Sequence, residues 1–280
     1  MGVRCRIVVE GDNEENAAAA CKVAFDRIAE LDAVLSDYRT DSEVAGLAKA
    51  PAGVWLPVST DLAEVLHAAQ AVYEATDGSF DPAVGRLTRL WRTSRRAQAL
   101  PDDATLAEAR ERSGMHLLEM DGSRVRFRKS GVQLDFGGIG KGYAADAALA
   151  LLAEAGFGAA LIDFSGDLVA GGPPSDEPRG WRVEISDGAG GREVRWLKHG
   201  AIAASGDAEQ FVAIDGVRYA HIVDPKTGLG VPGPVAATVG APTGVLADAL
   251  ASAACVMGKQ SAARLEEAFE GVWVRVQAAD

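Results

Sequence analysis

Cysteine and histidine are scarce in this chain of 280 residues, with three of the first and four of the second. The cysteines, Cys5, Cys21 and Cys255, lie far apart, are odd in number and form no C-x-x-C pair. That argues against a zinc ribbon and against a disulfide scaffold. So few histidines exclude a histidine-rich metal centre. Positive charge is also short: 28 Lys and Arg stand against 40 Asp and Glu, a net charge of −12. Binding to nucleic acid through its phosphates is therefore disfavoured. A small anionic ligand would need a local patch of positive potential or a metal. Apolar runs fall well short of the roughly 18 residues that span a bilayer. Charged residues follow Met1 almost at once, which is not a signal-peptide pattern. A cytoplasmic location is the expectation, unless an export segment lies outside this chain.

What is present is ordinary for a globular protein: 48% hydrophobic and 24% charged residues. Periodicity predicts a strand over 3–9 and a helix from Asn13 to Leu35, with Ala20, Val23, Ala24, Ile28, Leu31 and Leu35 on its apolar face. A short helical piece starts at 41–43. Ser59 caps a helix whose stripe is Leu62, Val65, Leu66, Ala69 and Tyr73, stopped by Asp77-Gly78. Residues 82–91 read as helical, and 115–120 with 124–128 as a hairpin around Asp121-Gly122. A helix over 142–155 and a buried strand over 159–164 follow, then a loop over 171–180. Short strands are expected at 181–186, 192–197, 210–214, 217–222 and 235–240. Helices at 243–257 and 260–269 and a strand at 271–276 close the chain. Without repeats or a dividing linker, residues 1–280 read as a single α+β unit, mostly antiparallel sheet with helices on its faces.

The stretch Leu134-Asp135-Phe136-Gly137-Gly138-Ile139-Gly140-Lys141-Gly142 carries the strongest chemical signal. Glycines before a helix let backbone approach a ligand, and a helix start attracts anions. It is neither a Walker A loop, which needs Gly where Asp135 stands and Ser or Thr where Gly142 stands, nor the G-x-G-x-x-G of a dinucleotide fold. A tight strand-to-helix turn without a ligand is the plain alternative.

Three other stretches stand out. In Asp77-Gly78-Ser79-Phe80-Asp81-Pro82, Asp81 before proline suits a helix start. His221, at a strand end before the Asp224-Pro225 turn, is suited to proton transfer near neutral pH; a hydrogen-bonded structural histidine is the bland alternative. Asp248 is the exception in an apolar helix, with Ser252 four residues later on the same face. Such oxygen donors suit Mg²⁺, although Asp248 could also pair locally. Arg86, Arg89, Arg92, Arg95 and Arg96 read first as a solvated helical face, with an anionic partner surface the lesser alternative.

In this order the segments LDFGGIGKGYAAD, DGSFDPAVGRLTRLW, AASGDAEQF, RYAHIVDPKTG and APTGVLADALASAACVMG resemble the ApbE-type FAD:protein FMN transferases, formerly called thiamine biosynthesis lipoproteins. The likeness runs from Met1 to Gly258. It implies an enzyme that uses FAD and Mg²⁺ to place FMN on a Thr or Ser hydroxyl of a target protein, releasing AMP. It also implies that Met1, Tyr38, Ser79, Phe80, Asp81, Asp135, Lys141 and Val223 contact FAD. The Gly138 carbonyl, Asp248 and Ser252 would bind the metal. His221 becomes the candidate base, with Asp224 its runner-up. This chain departs from the pattern at Arg86, where proline is frequent, at Ser165-Gly166-Asp167, where Gly-Gly is usual, and at Ala251, where some members carry another acidic ligand. Ser252 itself replaces the more usual Thr. A Mg²⁺-dependent FAD pyrophosphatase and a non-catalytic flavin-binding protein are the alternative functions. Family members are commonly exported and lipid-anchored, so the resemblance implies an extracytoplasmic or membrane-anchored location, through an N-terminal lipid anchor, if an export segment was trimmed, and a cytoplasmic one otherwise.

Overall fold

Side-chain caps fix where the helices begin, and the computed structural model, which describes residues 2–186, 191–208 and 210–278, shows those caps in place. Strand β1 (Arg6–Val9) leads to α1 (Glu14–Leu35), where Asn13 Oδ1 accepts from Asn16 N at 2.9 Å. Ser42 caps α2 (Glu43–Leu47) in the same way. After β2 (Leu56–Pro57), Ser59 caps α3 (Thr60–Ala75). Then come α4 (Gly85–Ala97), α5 (Asp103–Glu111), β3 (Leu118–Asp121), β4 (Arg124–Phe127) and α6 (Gly140–Glu154). Strands β5 (Ala160–Phe164), β6 (Asp167–Ala170), β7 (Trp181–Ser186), β8 (Arg192–Leu197) and β9 (Gly200–Gly206) follow. Next are β10 (Phe211–Ile214), β11 (Val217–Val223), β12 (Gly230–Pro232) and β13 (Val235–Ala241). Helices α7 (Gly244–Ala262) and α8 (Arg264–Ala268) and strand β14 (Trp273–Ala278) end the chain.

The main sheet has six strands in the order β1-β5-β6-β9-β13-β14, each pair antiparallel. This is the expected mixed architecture, with α1, α3, α6 and α7 packed into the principal core. A smaller sheet, β10-β11-β12, lies under α4 and α5 and shares their core around Trp91, Leu87 and Val223.

Several boundaries differ from the periodicity reading. Val23 is 53% exposed, because the buried stripe of α1 needs only Ala20, Ala24, Ile28, Leu31 and Leu35. Residues 115–117 form a 3₁₀ turn rather than strand. The helix expected from Pro82 starts at Gly85 and runs on to Ala97, where Gln98 ends it in the left-handed conformation. Near the C-terminus, α7 extends to Ala262 across a kink at Gly258 (φ 70°), leaving α8 only five residues. Helix α5 and strands β2, β6, β9 and β12 lie outside the expected set.

The closest backbone approach in the core joins the starts of α6 and α7. A Cβ added to Gly142 would lie 2.0 Å from the Gly244 carbonyl oxygen. Gly142→Ala is expected to cost about 1–3 kcal/mol of stability or more, since backbone must move. Gly46→Ala in α2, with nothing within 4 Å of the added carbon, should be neutral or slightly stabilising. Urea unfolding of the two variants checks the contrast.

Candidate active site

The glycine-rich turn is anchored at its entry by Asp135. Its backbone N–H donates to Pro82 O at 2.7 Å, and its Oδ1 accepts from Gly137 N at 2.8 Å. The chain then closes a turn onto Phe136 O and enters α6. Gly138 lies against α7 and the Phe80 ring: a Cβ there would sit 2.6 Å from Ser252 Oγ and 3.5 Å from Phe80 Cε2. Glycine is needed at 138 because another side chain would fill the space between the loop and the Ser252 hydroxyl.

Lys141 stands in the first turn of α6. Its Nζ lies 3.2 Å from Gly137 O, 3.0 Å from Asp248 Oδ1 and 3.2 Å from Asp167 Oδ2. An ammonium has three donors, so each has an acceptor within the protein. The other Asp248 oxygen accepts from Gly142 N at 3.1 Å. Burial alone would favour loss of the Lys141 proton, but the charges of Asp248 and Asp167 outweigh it and hold its pKa above the usual lysine value. Asp167 responds in the opposite sense. Burial first, then the Asp248 charge, pushes its pKa up to about 6 against the pull of Lys141. The tight β5–β6 turn at Ser165-Gly166 aims Asp167 here, and its Oδ1 also accepts from Ala204 N on β9 at 3.1 Å.

A second wall comes from β11 and α4. Trp91 Nε1 donates to Ala220 O at 2.9 Å and fixes α4 beside His221. Among the described residues His221 Nδ1 is buried without a hydrogen-bond partner. Burial, then the charge of Arg95, lowers its pKa below the ordinary histidine value, so the ring is neutral at pH 7. Val223 is buried in the smaller core. Asp224 organises the turn after β11, its Oδ1 accepting from Lys226 N at 2.8 Å.

The arginines of α4 form only in part the solvated face expected of them: Arg89 and Arg96 are exposed, whereas Arg86, Arg92 and Arg95 are partly buried. Arg86 Nε donates to Gly131 O at 2.5 Å and Arg89 Nη2 to Asp37 O at 3.0 Å. Arg92 bridges Asp37 Oδ2 at 2.5 Å and Asp135 Oδ2 at 3.1 Å. Its guanidinium also lies 4.3 Å over the Tyr38 ring. Tyr38 is 76% exposed, so Arg92 steadies a flat aromatic plate that faces solvent.

Ser79 and Phe80 are both buried. Asp81 accepts from Ala83 N at 2.7 Å and Met115 N at 2.9 Å, one bond to each oxygen. Burial raises its pKa to about 6 despite those bonds. Asp81 thus ties the segment after α3 to residue 115. Met1 lies outside the described residues.

Gly138, Asp248 and Ser252 can be tested as a metal-binding set. Among the described residues no group of three or more His, Cys, Asp and Glu side chains is placed to hold a metal. One carboxylate beside a hydroxyl and loop backbone is an all-oxygen set, and it fits Mg²⁺, which fills its remaining positions with water and substrate phosphate.

The ApbE family model matches residues 1–274. The chain belongs to the ApbE family. Curated relatives named FAD:protein FMN transferase include that of Treponema pallidum, 31% identical over 97% of this chain and 81% of its own length. The Salmonella typhimurium protein of that name is 29% identical over 94% and 78%. Among solved structures, the ApbE protein of Thermotoga maritima superposes with a TM-score of 0.85 at 30% identity, covering 100% of this chain and 94% of that one. The flavin transferase ApbE of Vibrio cholerae gives 0.87 at 25% identity, with the same coverage.

Within this ApbE fold, sequence reasoning did not foresee Asp167 against Lys141, and it read Arg92 and Arg95 first as solvated surface. Asp167 had a signal, since it is a carboxylate directly after a two-residue hairpin turn. The arginines recur at three-residue spacing, but nothing local says which acidic groups they meet.

Proposed function

We propose that this protein transfers the FMN moiety of FAD to a Thr or Ser hydroxyl of an acceptor protein, with Mg²⁺ as cofactor and AMP as the leaving product. The observation that carries the reading is the convergence of Lys141, Asp248 and the close approach of Gly138 to Ser252, with the buried Nδ1 of His221 on the wall formed by β11 and α4, in a chain of this family. Gly138, Asp248 and Ser252 would hold the metal. Bound Mg²⁺ supplies a Lewis acid for a phosphoryl oxygen.

The chain's own residues do the rest. Asp248 is oriented by Lys141 and Gly142 N. Lys141, its donors occupied, acts on the diphosphate through charge and by fixing the loop. Tyr38 offers its ring to a planar heterocycle of FAD, with Asp135, Ser79, Phe80, Asp81, Val223 and Met1 around it. His221 takes the proton of the acceptor hydroxyl as that oxygen bonds to the FMN phosphorus. The phosphoanhydride bond breaks, and AMP departs with the electron pair. A water in place of the hydroxyl would give FMN and AMP instead.

Incubation with FAD, Mg²⁺ and a flavin-acceptor domain tests the proposal. The expected result is a fluorescent acceptor band on a denaturing gel, with stoichiometric AMP. AMP and free FMN without a labelled acceptor would point to hydrolysis. No AMP under any metal condition would end the catalytic reading.

A further inference from the structure

A diphosphate brings negative charge into a site whose nearest cations are already engaged. Lys141 is held by Gly137, Asp167 and Asp248, and Arg92 by Asp37 and Asp135. Arg95 differs. One turn beyond Arg92 on α4, it is half-buried, and among the described residues it makes no ion pair or hydrogen bond. Its Nε is fully screened from solvent without a partner. That one donor is left unpaired, and an anion at the guanidinium would satisfy it. The backbone that carries it is fixed, because the helix is pinned at Trp91 and Ser94 is buried just before it. Its charge is felt by Tyr38, Arg92 and His221, the wall already assigned to the reaction. Arg96, the next residue, is exposed, so a general preference for cations at a helix C-terminus does not account for the burial of Arg95.

We propose that Arg95 is the anion-binding residue of this site and receives the diphosphate of the dinucleotide, a role that rests on the flavin transferase reading. A guanidinium suits this because its fork meets phosphate oxygens two at a time. Through the same contact it would hold the phosphorus near His221.

Binding of FAD, and of riboflavin, which has no phosphate, can be followed by flavin fluorescence with metal chelated to prevent turnover. Arg95→Gln is expected to weaken FAD binding about 10- to 100-fold and to leave riboflavin binding within about twofold. Arg95→Lys, which keeps the charge, should fall between wild type and Arg95→Gln, and Arg96→Gln should match wild type. Unchanged FAD affinity in Arg95→Gln would overturn the proposal, as would equal losses for both ligands or no advantage of Lys over Gln. The flavin transferase reading survives any of these if wild type binds FAD and labels an acceptor. Failure of wild type to bind FAD with or without Mg²⁺ would sink that reading and this inference with it.

Discussion

His221→Ala is expected to slow FMN transfer by about 10²–10⁴-fold, the usual worth of a positioned base, while FAD remains bound. The ring sits at the end of β11, held by Trp91 bonded to the neighbouring Ala220 carbonyl, and its Nδ1 has no partner that would compete for the proton. Burial and Arg95 keep its pKa below the ordinary histidine value. The base must be unprotonated to act, so activity should rise with pH through a point below about 6.5 and be flat near neutrality. The acid limb should vanish in the Ala variant. Single-turnover transfer across this pH range, with FAD binding measured in parallel, checks both. Transfer at the wild-type rate would remove His221 as base and leave Asp224 to be tried.

Asp248→Ala is the second large effect, an expected loss of Mg²⁺-dependent turnover of at least about 10²-fold. The side chain has two duties: it is the one carboxylate of the proposed metal set, and its oxygens accept from Lys141 Nζ and Gly142 N. Removing it leaves a buried N–H without an acceptor and Lys141 with Asp167 as its remaining carboxylate, which costs about 1–3 kcal/mol of stability. Asp248→Asn separates the duties. It keeps a carbonyl acceptor while lowering the charge, so it should be the more stable variant yet still demand far more Mg²⁺. AMP release titrated with Mg²⁺, beside denaturant melts, provides both readings. Full activity of Asp248→Ala at low Mg²⁺ would overturn the metal assignment.

The parts of this protein that were legible in its sequence are those written locally. Asn13, Ser42 and Ser59 announce helix starts by side-chain bonds spanning three residues, and the structure has each one. The turn at 134–141 also announces itself, since glycines and a lysine before an alanine-rich helix are a local pattern. Strand β9 does not. Its sequence, GAIAASG, lacks the β-branched alternation that marks strands. It is nevertheless central in the main sheet, where small side chains let α7 pack closely. Partners distant in sequence were equally hidden. Lys141 and Asp248 are 107 residues apart, and Arg92 meets acceptors 43 and 55 residues away. Only the fold brings such charges together, so a row of arginines that reads as surface becomes a strut behind Tyr38.

The starts of α6 and α7 cap each other. Asp146, on α6, accepts from Gly244 N at 2.7 Å and Val245 N at 2.8 Å, the free amides of α7. Asp248, on α7, returns the bond to Gly142 N of α6. The exchange is reciprocal, so neither helix can slip along its axis without uncapping the other. A slip of one turn, about 5.4 Å, would carry Asp248 and Ser252 together away from the glycine-rich turn at Gly138. The position of the proposed reaction centre is thus set by an interlock within the core, independently of the loops at its rim.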